Sequence, residues 1–196
     1  MKKLRPFFIV ISIIFLVYPN SFAQNQDKET KNLQSIDILS GFSWGKLKQK
    51  GNYNLTPFSV AFNFNLKNLT KKINFNPRPL LQFQVEPFLS LVTKPDNNLE
   101  TGASFWLKIG LLPETSRLQP YFKLGAGLLY MTQHTLEQST QFNFTEQLAV
   151  GFHYGLSKNT SLTLEGRWRH LSNASIKSPN SGINSYFVLT GISYKF

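Results

Sequence analysis

Apolar and polar residues alternate with a period of two in eight segments of this chain, and this pattern constrains its fold more than any other feature. In the second segment every other residue from Phe58 to Leu66 is apolar, and the residues between them are small or carry amides. A period of two belongs to a β-strand whose two faces meet different surroundings. The eight segments begin near residues 36, 58, 81, 103, 122, 142, 162 and 186. The sequence therefore predicts an all-β fold of eight strands.

Eight two-faced strands can form either a soluble sandwich or a closed membrane barrel. The polar faces are poor in charge and rich in Gly, Ser, Asn and Gln, which suits a narrow lumen filled by side chains. Aromatic residues cluster at strand ends, as in the interfacial girdles of membrane barrels, and the last residue is an aromatic that faces outward. These aromatic residues are Phe42 with Trp44, Tyr121 with Phe122, and Tyr194 with Phe196.

We therefore predict an eight-stranded antiparallel transmembrane β-barrel over residues 35–196. An even number of strands places both chain termini in the periplasm, so we expect four loops to face outside, at residues 45–55, 93–101, 132–141 and 173–183. Glu165, Arg167 and Arg169 alternate on the lumen face of the seventh strand and are expected to form internal ion pairs. Lysines 46, 48 and 50 lie in the first loop, where they either meet the phosphates of lipopolysaccharide or remain solvated.

The first 23 residues have the organisation of a secretory signal peptide. A basic start precedes an apolar run over residues 7–18, and small residues surround an expected cleavage site before Gln24. The apolar run is shorter than the ~20 residues that span a bilayer, which disfavours a membrane anchor. Residues 24–34 then form a polar periplasmic segment. Together with the barrel, this pattern predicts an integral protein of the bacterial outer membrane.

The amino-acid composition limits the kinds of site that this chain can form. The chain has no cysteine and three histidines, which excludes disulfides, thiol nucleophiles and zinc–thiolate sites, and neither a metal nor another cofactor is expected. The formal charge is +11, and removal of Lys2, Lys3 and Arg5 leaves 18 Lys and Arg against 10 Asp and Glu. This surplus suits nucleic acid or an anionic lipid surface. Because an exported barrel without a nucleic-acid motif does not meet DNA, the expected partners are membrane lipid and an anionic glycolipid.

The seventh strand places two reactive side chains on the face that should meet lipid. His170 and Ser172 continue the outward series that includes Leu164 and Trp168. Residues i and i+2 of a strand share a face about 6–7 Å apart, so an imidazole could take the serine proton. That pair is the general base and nucleophile of acyl transfer. Alternatively, the strand leaves the membrane at Trp168 and both residues belong to a solvated rim.

Two short segments carry a family resemblance. HLSNA at residues 170–174 and PNSGINSY at 179–186 closely resemble the C-terminal signature of the PagL-type lipid A 3-O-deacylases, and Asn143-Phe144 resembles the motif on the preceding strand. The resemblance implies an outer-membrane serine esterase that removes the 3-O-linked acyl chain from lipid A of lipopolysaccharide. It also implies that His170 is the general base and Ser172 the nucleophile. Residues implied to support the site and its oxyanion hole are Phe144, Asn173, Asn180 and Gly182.

The third member of the catalytic triad departs from the family pattern. Where the family has a glutamate, this sequence has Asn184, which can hold the imidazole but brings no charge. Glu146 faces lipid on the sixth strand, and a short turn at 157–159 would set it opposite His170, so it is a candidate substitute acid. Alternatively, Glu146 meets headgroup amines or cations at the interface. The competing hypothesis for function is a non-catalytic structural or adhesive barrel with a decayed site.

Overall fold

The computed structural model describes residues 32–75 and 77–196. In chain order the strands are β1 (Leu33–Leu47), β2 (Gly51–Asn65), β3 (Pro79–Lys94), β4 (Asn98–Pro113), β5 (Leu118–Met131), β6 (Phe142–Gly155), β7 (Thr160–Ser172) and β8 (Ile183–Lys195). A short helix, α1 (Lys67–Lys71), lies between β2 and β3. None of the helical residues in these two ranges forms a helix long and apolar enough to cross a membrane.

The predicted signal peptide at residues 1–23 lies outside the described residues, as does most of the predicted polar segment at 24–34. The first strand begins at Leu33, two residues before the predicted start of the barrel. Its first pairing partner, Phe64, lies near the end of β2. The last residues of the predicted polar segment thus belong to the β1–β2 ladder.

The eight strands form a closed barrel in which each strand pairs antiparallel with its neighbours in sequence. The closing ladder between β1 and β8 runs from the pair Ser35–Lys195 to the pair Gly45–Ser185. Closure leaves no unpaired strand edge, which is the condition for a sheet to sit in hydrocarbon. The predicted eight-stranded antiparallel barrel is confirmed.

The two faces of the strands are divided as the alternation predicts. Apolar residues face outward, and many of them are exposed, as with Phe58 (50%), Leu124 (53%) and Val150 (62%). The alternate positions, such as Asn63 and Gln84, are fully buried in the lumen. A soluble sandwich would bury the apolar face between its sheets, so this distribution excludes that alternative.

Paired charges fill the middle of the lumen. Arg167 lies 2.9 Å from Glu86 and 2.7 Å from Glu165, and Lys123 lies 2.8 Å from Glu165. All four side chains are almost completely shielded from solvent. Buried charges persist only when they are paired and hydrogen-bonded, and each of these has a partner across the barrel. The predicted internal ion pairs of β7 are confirmed, and their partners come from β3, β4 and β5 as well as from β7 itself.

The end of the barrel that carries the connections β1–β2, β3–β4, β5–β6 and β7–β8 is called the outer end. Its connections are loop 1 (48–50), loop 2 (95–97), loop 3 (132–141) and loop 4 (173–182). Loops 1 and 2 are shorter than predicted, because the strands stay paired around an apolar plug in the outer mouth of the lumen. The plug consists of Leu47, Tyr53, Leu55, Val92, Leu129, Met131, Leu171 and Ile183. Just below it, Arg169 pairs with Glu100 at 2.7 Å.

Candidate active site

Three adjacent strands carry a polar group at the same level of the outer face. In the ladders on either side of β7, His170 lies opposite Glu146 of β6 and opposite Asn184 of β8. Each of the three faces outward, since the residues beside them in sequence, such as Arg169 and Ser185, are buried in the lumen. The predicted register of Glu146 and His170 is confirmed. The β6–β7 turn occupies residues 156–159 and is closed by the bond from Leu156 N to Thr160 O.

Asn184 makes the hydrogen bond that orients the imidazole. Its Oδ1 lies 2.8 Å from Nδ1 of His170. An amide oxygen can only accept, so Nδ1 carries the proton and Nε2 keeps its lone pair. That tautomer is the one a general base needs when it takes a proton through Nε2. Asn184 thus orients the imidazole without bringing a charge to it.

Gly182, one position beyond the last β7–β8 pair Leu171–Ile183, lies against the Cε1–Nε2 edge of the His170 imidazole. A Cβ built on Gly182 would lie 2.3 Å from His170 Cε1 and 2.9 Å from Nε2. Gly182 also has a φ of +72°, a conformation that costs little only for glycine. Glycine is therefore required here both by the backbone and by the ring beside it.

Ser172 ends β7 two residues after His170, on the same face and partly exposed. It pairs with Phe144 across the β6–β7 ladder. Within the described residues, neither Ser172 Oγ nor His170 Nε2 has a hydrogen-bond partner, so both atoms are available to a substrate. Catalytic hydrogen bonds are often long without substrate and tighten only in the complex. The two residues thus share a face of β7, and no hydrogen bond joins their side chains within the described residues.

Glu146 is opposite His170 but does not bind it. Its side chain is exposed and forms neither a hydrogen bond nor an ion pair within ranges 32–75 and 77–196. Along β7, Trp168 stacks on His170 with centroids 6.3 Å apart and planes inclined by 23°. The imidazole thus has Asn184, Gly182 and Trp168 beside it, while Glu146 forms no bond to it within the described residues.

Loop 4 turns back directly after Ser172. Ala174 and Ser175 have φ values of +52° and +61°, which reverse the chain within a few residues. Asn173 N donates to Asn180 Oδ1 at 2.9 Å, so the two ends of the loop are tied beside the serine. The Asn173 side chain is fully buried and donates to the Lys177 carbonyl at 2.7 Å. Asn173 and Asn180 therefore shape the loop that borders the site.

Loop 3 braces loop 4 through several hydrogen bonds. Ser139 N donates to Pro179 O at 3.0 Å, and Ser139 Oγ donates to Lys177 O at 2.8 Å. Glu137 O accepts from Ser181 N at 2.8 Å, and the Glu137 carboxylate accepts from the backbone N–H of loop 1. These bonds cross three loops that are far apart in sequence. They hold the turn after the serine in one arrangement.

The contributions of Glu137, Ser139 and Trp168 to the site are not evident from the sequence. The two loop residues carry no motif, and their contacts with loops 1 and 4 span 34 residues or more. Trp168 has the spacing of an ordinary lipid-facing residue on β7, and only its neighbour His170 would have singled it out. In the part of the chain that the structure describes, no group of three His, Asp or Glu side chains is arranged to hold a metal ion.

The sequence and the fold were both compared with known proteins. The family model of the lipid A 3-O-deacylases (PagL) matches residues 21–193. The fold is similar to the crystal structure of the outer membrane enzyme PagL, with 14% identity, a TM-score of 0.57, and coverage of 82% of this chain and 99% of that one. It is equally similar to Neisserial surface protein A, with 12% identity, a TM-score of 0.59, and coverage of 83% and 96%. No curated protein matches the sequence. At these identities the structural likenesses show an outer-membrane barrel fold.

Proposed function

The chain belongs to the lipid A 3-O-deacylase (PagL) family, and we propose that it is a serine esterase of the outer membrane that removes the 3-O-linked acyl chain from lipid A. The observation that carries this proposal is the bond from His170 to Asn184, which leaves Nε2 of the neutral imidazole free to act as a base, with Ser172 two residues away on the same face. Both residues lie on the outer surface of the barrel, where a lipid ester can reach them. No cofactor takes part in this chemistry.

In the proposed first step, Ser172 Oγ attacks the ester carbonyl while His170 Nε2 takes the hydroxyl proton. The carbonyl electron pair moves onto oxygen. When the tetrahedral intermediate collapses, the bond to the sugar oxygen breaks, and His170 returns the proton to that oxygen. Water then repeats the sequence on the acyl-serine, which releases a fatty acid and restores the serine hydroxyl. Atoms and protons balance without any further reactant.

Loop 4 is the proposed source of oxyanion stabilisation. Backbone N–H groups that point to the developing charge are among the strongest contributions to acyl transfer. Loop 4 begins at the residue after Ser172, is tied by Asn173 and Asn180, and is held by loop 3. Gly182 and Phe144 complete the proposed surroundings, one beside the ring and the other opposite the serine. A preformed loop costs no reorganisation when the charge develops.

The alternative of a non-catalytic barrel depends on Asn184. It is favoured only if a neutral group that orients His170 is too weak to support catalysis. An amide fixes the tautomer but does not stabilise the imidazolium with a charge. The exposed Glu146 carboxylate, one strand away from His170, is the proposed source of part of that missing charge. We therefore expect an active enzyme whose turnover is lowered by the weak stabilisation of the imidazolium in the transition state.

Mass spectrometry of lipid A from cells that express the protein tests the proposal. The expected result is the loss of one 3-O-linked acyl chain, and Ser172→Ala and His170→Ala should each abolish it, because nucleophile and base act as a unit. Ser40→Ala is a matched control. Ser40 is another outward-facing serine, and it hydrogen-bonds Pro57 O far from the site. Unchanged lipid A with folded wild-type protein in the outer membrane would support the non-catalytic alternative.

A further inference from the structure

The outward positions of four adjacent strands carry their charged and imidazole side chains in a single row. On β6, β7, β8 and β1, all within the described residues, the outward positions hold three such groups: Glu146, His170 and Lys46. The remaining outward positions on these strands are apolar, aromatic or uncharged polar residues. Glu146, His170 and Asn184 are already aligned by the ladders. Lys46 extends the same row onto β1.

The position of Lys46 follows from the register that closes the barrel. The β1–β8 ladder ends with the pair Gly45–Ser185, so Lys46 comes next to Asn184. The backbones are in close contact there, since a Cβ on Gly45 would lie 2.6 Å from Asn184 O. Neighbouring strands are about 4.8 Å apart, which places Lys46 about 10 Å from His170 across the sheet.

Lys46 differs from its neighbour Lys50 in having no internal partner. Lys50 lies 3.5 Å from Asp96 of loop 2. Lys46 is exposed and forms no ion pair or hydrogen bond through its side chain within residues 32–75 and 77–196. An unpaired ammonium on a flexible four-carbon stem is suited to bind an anion that arrives with a ligand. At this level of the outer face, such an anion belongs to a lipid headgroup.

We propose that Lys46 binds a phosphate of the lipid A headgroup and so positions the ester at Ser172; the inference rests on the function proposed above. The two ends of the row carry opposite charges, a carboxylate on β6 and an ammonium on β1. A phosphate is repelled by Glu146 and attracted by Lys46, which favours one orientation of the sugar over the reverse. Lys46 is therefore a substrate-binding residue that selects the phosphorylated side of the headgroup.

A comparison of two substrates that differ only in their phosphates tests whether Lys46 binds phosphate. Wild type, Lys46→Ala, Lys46→Arg and the control Lys50→Ala are assayed in non-ionic detergent on bisphosphorylated lipid A and on the same lipid after removal of its phosphates. Lys46→Ala should raise KM about tenfold on the phosphorylated substrate, equivalent to ~1.4 kcal/mol, with little change in kcat. It should have no effect on the dephosphorylated one. Lys46→Arg should keep most of the wild-type KM, and Lys50→Ala should match wild type.

Equal losses on both substrates, or no loss on either, would overturn the proposal. Inorganic phosphate in excess should leave the KM of wild type unchanged, and competition by it would show an anion site not tied to the headgroup and likewise overturn the assignment. Binding of both lipids is also measured in the Ser172→Ala background with and without Lys46→Ala. If the wild-type protein hydrolyses neither substrate, the proposed function fails. The binding measurement still tests Lys46 by itself, because Lys46→Ala should abolish the preference for the phosphorylated lipid over the dephosphorylated one.

Discussion

Substitution of Asn184 by aspartate is expected to raise the turnover of ester hydrolysis. The exchange is isosteric, so a carboxylate oxygen takes the place of the amide oxygen that lies 2.8 Å from His170 Nδ1. The imidazole keeps its tautomer and its position. What changes is the charge beside the ring when His170 becomes an imidazolium in the transition state. Asn184→Glu restores the residue type of the family pattern, with one more methylene between backbone and carboxylate.

The expected magnitude follows from the kind of hydrogen bond. A neutral hydrogen bond contributes about 0.5–1.5 kcal/mol, whereas one to a charged group contributes about 1.5–3 kcal/mol. The difference of ~1.4 kcal/mol corresponds to a rate increase of about tenfold for Asn184→Asp. Asn184→Ala removes the neutral bond altogether and should lower turnover about fivefold. Neither change should alter KM, because both act on the stabilisation of the imidazolium in the transition state and not on the proposed docking of the acyl chains.

The effect of Glu146→Gln on turnover is compared with that of the Asn184 substitutions, because both residues lie level with His170. The carboxylate is opposite His170 but not bonded to it. Side chains in such cross-strand pairs have Cβ atoms about 5 Å apart. In the high effective dielectric of an exposed surface, a charge at that distance contributes ~1 kcal/mol or less. Glu146→Gln should therefore lower turnover by less than about fivefold.

Initial rates of fatty-acid release from purified lipopolysaccharide, measured side by side for the four variants, test this reasoning. A loss on the order of 10⁴-fold for Glu146→Gln, as for neutralisation of a triad carboxylate, together with an unaffected Asn184→Ala, would refute it. Glu146 would then be the acid, and the bond seen at Asn184 would be incidental. If all variants match the parent enzyme, neither residue assists His170.

Three further outcomes are expected. Gly182→Ala should sharply reduce turnover because its Cβ would collide with the His170 ring, while Gly51→Ala, at a φ of +77° with open space around it, should cost only stability; retained activity in both would contradict the proposed packing. Arg169→Met leaves Glu100 buried without its cation and should lower the free energy of unfolding by about 3–5 kcal/mol, measured by urea titration in detergent. Unheated protein should migrate faster on a denaturing gel than heated protein, because the closed barrel resists unfolding, and identical migration would count against such closure.

Much of the candidate site was predictable because it lies on one strand or one tight hairpin. The spacing of His170 and Ser172 is a property of β7 alone. The register of Glu146 against His170 follows from the short β6–β7 turn, because residues at equal distances from the turn of an antiparallel hairpin pair with each other. Such local arithmetic needs no knowledge of the tertiary fold.

The partners of His170 on its other side were not predictable in the same way. Loop 4 separates β7 from β8, and its length leaves the β7–β8 register open to several alignments. The family resemblance points to Asn184 and Gly182 as site residues, but their alignment with His170 follows only from the β7–β8 register in the closed barrel. The brace from Ser139 to loop 4 likewise spans 38 residues and carries no pattern.

The sequence by itself determined the strand number, the face on which each side chain lies, and the placement of His170 and Ser172 toward lipid, because side-chain direction in a strand depends only on parity. The tertiary structure decided what each outward group meets. Asn184 rather than Glu146 contacts the imidazole, and Lys46 joins the row only because β1 closes on β8. The physical reason is that alternation is a local property of the chain, whereas contacts between strands depend on registers that closure of the whole barrel imposes.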